Sequence, residues 1–280
     1  MKNKILLSTA LILGFGASCS GCSSSENIIS ICASQTPHAE ILNQAVKPLL
    51  EEKGYTLEVT ILDWTIQNDA VKNSDYDANY FQHRPYLQQY DSGSAVYKED
   101  YSYSKVFPTA AVHFEPLRIY SGKSAAADFE TKKALTTTTY EICADVSNEI
   151  RALDLLKANG IIQDYETDKD GTPINLPSNI TLIDENLLVA SRSDYDYALL
   201  PCNTALTGNL TADASLPCED ETVSSLRANV IAANVSKYSN DEEYKKKIDA
   251  LTDAVLQTSV SQYITSAYKG VIEPVIQDLR

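Results

Sequence analysis

Basic side chains are scarce in this 280-residue chain: 23 Lys and Arg face 38 Asp and Glu, for a formal net charge of −15 with histidine neutral. A duplex-binding surface needs clustered cations to displace counterions from phosphates, so binding of bare nucleic acid is not expected. Glycine and proline, ten of each, are too few for a fibrous or disordered chain, while a hydrophobic fraction of 44% supplies a core. Methionine is rarer still, occurring only as Met1, and Trp64 is the single tryptophan. No G-x-S-x-G elbow, G-x-x-x-x-G-K-[ST] loop or H-E-x-x-H helix occurs, so the enzymes those motifs mark are excluded and no catalytic residue is assigned. The three histidines, His38, His83 and His113, lie far apart. A His-rich metal site would have to recruit carboxylates from separate loops, so neither a metal nor a cofactor is expected.

What is present begins with an address label. Lys2 and Lys4 flank the apolar run 5–17 (ILLSTALILGFGA), far short of the roughly 20 residues a bilayer-spanning helix needs. A short basic segment before a short apolar one reads as a secretory signal. Small residues lead directly into Cys19, as in the lipobox of bacterial lipoproteins, where the chain is cut before a cysteine that then carries lipid. Cys22 is the alternative lipidation site. The Cys19-x-x-Cys22 pair lacks the strand-helix context of a redox motif. Residues 1–18 are thus expected to be a signal peptide and 19–26 a lipidated, flexible tether. Loss of Lys2 and Lys4 leaves 21 basic residues against 38 acidic ones, or −17. Cys32, Cys143, Cys202 and Cys218 are spread through the exported body, and no pairing is assigned.

From residue 27 onward short apolar strands alternate with helical patterns, the signature of an α/β fold. Strands are expected at 27–33, 55–62, 76–81, 140–144, 180–183, 197–200 and 229–233, with a long extended stretch at 110–120. Helices are expected at 39–53, stopped by Gly54, at 147–158, capped by Ser147 and closed by Gly160, and from Asn240 to about residue 257. Block 113–228 is flanked by material of one kind. The chain therefore reads as two lobes, 27–112 with 229–280 and 113–228, each a sheet flanked by helices with a cleft between them.

One run stands out. In Phe81-Gln82-His83-Arg84-Pro85-Tyr86-Leu87 a strand delivers Phe81 and His83 to the same side and Pro85 opens a helix, a pattern that an aromatic core position and a capped helix would also produce. Preceded by Asp77-Ala78-Asn79, this run resembles the D-A-N-x-F-Q-H-x-P-Y-L segment of the methionine-binding lipoproteins, the NlpA lipoprotein family, which are substrate-binding components of bacterial methionine ABC importers. Residues 37–42 (PHAEIL), Asp63-Trp64 with Asn68, 145–153 (DVSNEIRAL), Asn203-Thr204 and Asn229 resemble further family segments in order, over roughly residues 28–270. Trp64 replaces a usual Tyr, Gln67 a Pro, and Val146 and Ile150 the Pro and Gly of N-D-P-T-N-x-G-R. Arg227 stands where a Tyr is common.

The resemblance implies a two-lobed periplasmic-binding-protein-like fold (type II) with ligand in the cleft. It also implies an ABC permease partner, an extracytoplasmic, lipid-anchored location, no enzymatic activity, and L-methionine or a related α-amino acid as cargo. Arg151 would hold the ligand carboxylate through its planar fork. Asn203 and Asn229 would serve the ammonium and carboxylate, His83 would add a hydrogen bond, and Phe81 and Trp64 would clasp the side chain. A surface interaction or scaffold lipoprotein that kept the fold and lost transport is the alternative, signalled if Ile150 and Arg227 block the cleft.

Overall fold

The computed structural model describes residues 27–280. The expected signal, the tether, Cys19 and Cys22 lie outside the described residues.

Twelve strands are described: β1 (Ile28–Ala33), β2 (Thr56–Ile61), β3 (Ala78–His83), β4 (Val106–Phe114), β5 (Leu117–Ser121), β6 (Tyr140–Cys143), β7 (Glu166–Thr167), β8 (Pro173–Ile174), β9 (Ile180–Ile183), β10 (Tyr197–Pro201), β11 (Ala228–Asn234) and β12 (Glu273–Asp278). They form a six-stranded sheet in the order β12-β4-β11-β3-β1-β2, a four-stranded sheet in the order β5-β10-β6-β9, and the small pair β7-β8. The chain passes to the second sheet at Glu115-Pro116, between β4 and β5, and returns on β11. The first sheet therefore keeps residues 113, 114 and 228, which the sequence pattern places in the second lobe. His113 and Phe114 pair with Asn229 and Ala228.

Both faces of the large sheet are covered, which is why its strands read as near-continuous apolar runs. Along β11, Ile231 and Ala233 join one core cluster while Val230 and Ala232 join another, the period of two that puts successive side chains on opposite faces. The first face receives Ile41, Leu42, Val46 and Leu50 from the helical stretch that ends at Glu52. It also receives Tyr244, Ile248, Leu251 and Val255 from the helix Glu242–Val255. That four-three-four spacing is one face of an α-helix. The opposite face takes Val71 and Leu87 from helices Trp64–Lys72 and Arg84–Ser92. In the small sheet Tyr140, Ile142, Tyr197 and Leu199 pack against Ala152, Leu153 and Leu156 of helix Val146–Ala158.

Gly54 and Gly160 follow helix ends with φ of +82° and +67°, the left-handed geometry that ends a helix at little steric cost only in glycine. Two expected caps are displaced. Asp241, not Asn240, caps Glu242–Val255, accepting N–H bonds from Glu243 and Tyr244. Asn240 instead ends the preceding turn, Val235–Asn240. Likewise Asp145, not Ser147, caps Val146–Ala158. In each case the cap is an aspartate in extended backbone one or two residues from the expected position, the geometry a cap requires.

Candidate functional site

A cavity of about 60 Å3 opens between the two sheets, and Trp64, Phe81, His83, Arg151, Asn203 and Asn229 all line it. Its residues follow strand carboxyl ends: Ser34 after β1, His83 at the end of β3, the Asp145-capped helix after β6, and Asn203 after β10. That is where crevices form in α/β sheets. Neither Ile150 nor Arg227 lines it, which removes the ground for the scaffold alternative.

Three functional side chains form a row across the large sheet. Asn229 of β11 is in register with His83 of β3 on one side and with His113 of β4 on the other, and opposed residues share a face. The His83 ring Nδ1 accepts the Tyr86 N–H at 3.2 Å and so caps helix Arg84–Ser92. Nε2 is consequently the protonated nitrogen, and it donates to Asn148 Oδ1 at 3.2 Å. Burial first, then the nearby charges of Arg151 and Arg227, keep this imidazole neutral, its pKa well below the ordinary value. Both nitrogens are engaged within the protein, so the expected His83 hydrogen bond to ligand exists only if Asn148 yields. His83 instead ties the two sheets together.

Arg151 is not the exposed helix residue its place beside the apolar stripe could produce; it is 3% exposed. Its Nε and Nη2 grip the two carboxylate oxygens of Glu219, with Nε to Oε1 at 2.9 Å and Nη2 to Oε2 at 2.5 Å. Nη2 also donates to the Glu115 carbonyl at 2.8 Å and Nη1 to Asn148 Oδ1 at 3.0 Å. Four of the five guanidinium N–H groups are thereby used, leaving one on Nη1. The planar fork expected for a ligand carboxylate is thus turned to Glu219, and what faces the cavity is the charge and one donor. Burial alone would raise the Glu219 pKa, but the Arg151 charge and hydrogen bonds hold it below the usual carboxylate range.

Asn148 joins these pieces, accepting from His83 and Arg151 while its amide donates to Asp145 Oδ2 at 2.8 Å. Beneath Asn229 lies a cluster that sequence distance conceals. His113 Nε2 donates to Glu115 Oε1 at 2.8 Å, its Nδ1 receives the Tyr80 hydroxyl, and His38 Nε2 stands 3.6 Å from the same Glu115 oxygen and 3.4 Å from Asn229 Oδ1. Burial lowers the His38 pKa to about 4 and that of His113 to about 3, so both are neutral donors. Burial also raises the Glu115 pKa, against the opposing influence of His38 and Arg151. His38, His113 and Glu115 place ligating atoms within 4.8 Å of one another, as do Cys143, Asp145 and Glu185. These sets are dense enough to consider for a cation, although no metal was expected. In the first of them the Nε2 atoms already serve as hydrogen-bond donors. Cys32, Cys143, Cys202 and Cys218 are all free thiols.

Aromatic rings form the remaining wall. Phe81 and Trp64 each meet Tyr86 edge-on, with centroids 5.8 and 5.7 Å apart, and the indole N–H of Trp64 has no hydrogen-bond partner. The cavity thus combines a guanidinium, a carboxylate supported by imidazoles, neutral amides and an aromatic face. Sequence reasoning missed Glu115, Asn148 and Glu219. Only Asn148 carried a local signal, lying three residues beyond the capping Asp145.

The family model for the NlpA lipoprotein matches residues 29–276. This chain belongs to the NlpA lipoprotein family. The methionine-binding lipoprotein MetQ of Bacillus subtilis is 31% identical over 282 aligned positions, covering 97% of this chain and 96% of its own. Among solved structures, a nutrient-binding protein from Burkholderia cenocepacia bound to methionine superposes with a TM-score of 0.68 at 26% identity, covering 88% of this chain and 99% of that one. Lipoprotein Tp32 from Treponema pallidum gives 0.71 at 25% identity, covering 89% and 99%. The NlpA family is one of substrate-binding lipoproteins, not enzymes. The two-lobed α/β architecture is the family's.

Proposed function

We propose that the protein is a lipid-anchored substrate-binding component of an ABC importer that captures L-methionine, or a closely related α-amino acid, on the extracytoplasmic face and passes it to a permease. The observation that carries this reading is the pairing of opposite charges inside one cavity with an aromatic wall. Glu115 is the counter-charge for an α-ammonium, with Asn229 beside it. Arg151 attracts the carboxylate, with Asn148 and Asn203 as amide donors. Trp64, Phe81 and Tyr86 face the side chain, and a thioether against aromatic rings gains roughly 0.3–1.5 kcal/mol. Relatives named for methionine binding support the choice of ligand. Closure of two lobes needs only a ligand that prefers the closed state.

Anchoring through Cys19 agrees with relatives named as membrane lipoproteins. Among the described residues no helix is long and apolar enough to cross a membrane. Cys19→Ala releases the protein from membranes if this assignment holds; continued attachment moves the lipid to Cys22.

Because Trp64 is the only tryptophan and lines the cavity, intrinsic fluorescence reports binding directly. Titration with L-methionine changes the emission, and Trp64→Phe removes the signal. A panel of amino acids that leaves the emission unchanged and adds no thermal stability overturns the reading. A ligand at a hundred times its Kd adds about 2.7 kcal/mol.

A further inference from the structure

We propose that Glu185 makes one end of the cavity a subsite for a cationic side chain, so that amino acids with a terminal ammonium, lysine and ornithine, bind through the same headgroup contacts as methionine. The inference rests on the amino-acid reading above and extends it to a second class of side chain.

Glu185 lines the cavity and also the larger groove outside it, together with Ser34, Trp64 and Asn203. It therefore stands at the end where a side chain would point outward. Thr204 Oγ1 donates to Glu185 Oε1 at 2.6 Å, and among the described residues no Lys, Arg or His lies within ion-pairing distance of it. Its near neighbours supply no cation: the Asp145 carboxylate and the neutral Cys143 thiol, which donates to Asp145, place atoms within 4.8 Å of it. Burial, and then the Asp145 charge, push its pKa up to about 7. A carboxylate held in this way gains from any cation brought beside it.

Counting charges around the cavity leads to the same place. Arg151 and the neighbouring buried Arg227 are matched by Glu219 and Glu115. A zwitterionic headgroup leaves that balance unchanged. Glu185, with Asp145 behind it, is left over, and a second ammonium on the ligand compensates it. The wall suits such a chain: Trp64 and Tyr86 line the cavity with Glu185, and aromatic rings accommodate both an alkyl stem and a cation at its end.

Norleucine is the natural comparator, being the lysine chain without its ammonium. The experiment measures binding of L-lysine, L-ornithine, L-norleucine and L-methionine to the full chain in detergent, by Trp64 fluorescence and by calorimetry. Lysine or ornithine is expected to bind at least tenfold more tightly than norleucine, and the better of the two reports how far Glu185 lies from the headgroup. In Glu185→Gln, which keeps an acceptor for Thr204, that ratio is expected to fall to near one. The inference is overturned if methionine and norleucine bind while both diamino acids bind no better than norleucine. It is also overturned if the ratio survives in Glu185→Gln. The first comparison uses the unaltered protein and so does not depend on how the variant folds. If none of the four binds, the amino-acid reading itself is overturned along with the inference.

Discussion

Arg151→Ala abolishes the methionine-induced change in Trp64 emission and destabilises the ligand-free protein by about 3–5 kcal/mol, the usual cost of removing one partner from a buried ion pair. Both effects come from one guanidinium with two duties. Toward Glu219 it is structural, since this carboxylate is nearly buried and Arg151 donates to both of its oxygens. Toward the cavity it supplies positive charge. The double variant Arg151→Ala/Glu219→Gln separates the two: neutralising the abandoned carboxylate recovers part of the stability and none of the binding. Full recovery of binding would show that Arg151 acts only as the partner of Glu219. The pH dependence has a definite sign. The folded-state pKa of Glu219 is lowered, so the pair's stabilisation is present above the unfolded glutamate value and is lost as pH falls through the lower folded value. Chemical denaturation of the wild type at descending pH shows this loss, and the double variant lacks it.

Glu115→Gln is the second large effect. A glutamine keeps an oxygen for His113 Nε2, so the cluster under the cavity retains its main hydrogen bond, but the charge that meets the ligand ammonium is gone. Truncating one side of a buried, hydrogen-bonded charge pair costs roughly 2–5 kcal/mol of binding, about thirtyfold to several thousandfold. Calorimetric titration of the variant with L-methionine reads this loss directly. An affinity within a factor of three of the wild type would remove Glu115 from the ligand's ammonium. His38 and His113 take no proton near neutrality, since burial holds their pKa values at about 4 and 3. They act on the ligand only indirectly, by fixing Glu115 and, for His38, Asn229.

The parts of this fold that were legible in the sequence are those in which one physical requirement dominates. Strands β1, β6 and β10 are largely buried and appear as short apolar runs bounded by polar residues. β12 was invisible because it is an edge strand of mixed composition, Glu-Pro-Val-Ile-Gln-Asp. Its place beside β4 is decided by sheet completion, a long-range effect. Helix Trp64–Lys72 was missed because it buries Gln67, Asn68 and Val71, two of them polar: Asn68 is held by side-chain hydrogen bonds with Asn79 and Gln82, and Gln67 donates to the Leu62 carbonyl. The two misplaced caps are local competitions between capable residues one or two positions apart, won in each case by an aspartate in extended backbone.

The site divides in the same way. His83, Phe81, Arg151 and the two asparagines sit in runs whose local pattern or family likeness points to them, and the fold brings them to one cavity. The supporting residues have no such pattern. Glu219 lies in an irregular stretch 68 residues from the arginine it grips, and His38 reaches Asn229 across 191 residues. The second contact comes from sheet order, with β11 seated between β3 and β4, and the first from the pairing of Cys218 with Arg118 of β5. What the structure adds is a change of role for two residues: His83 ties the sheets through Asn148, and Arg151 presents charge and a single donor instead of its fork.

The most direct test of the central claim, that the cavity recognises the zwitterionic headgroup of an α-amino acid, is calorimetric titration with L-methionine, methionine amide and the des-amino acid that lacks the α-ammonium. L-Methionine is predicted to bind with one site per chain, and each analogue, missing one of the two charges, to bind at least a hundredfold more weakly. Equal affinity for all three, or no heat from L-methionine, would contradict it.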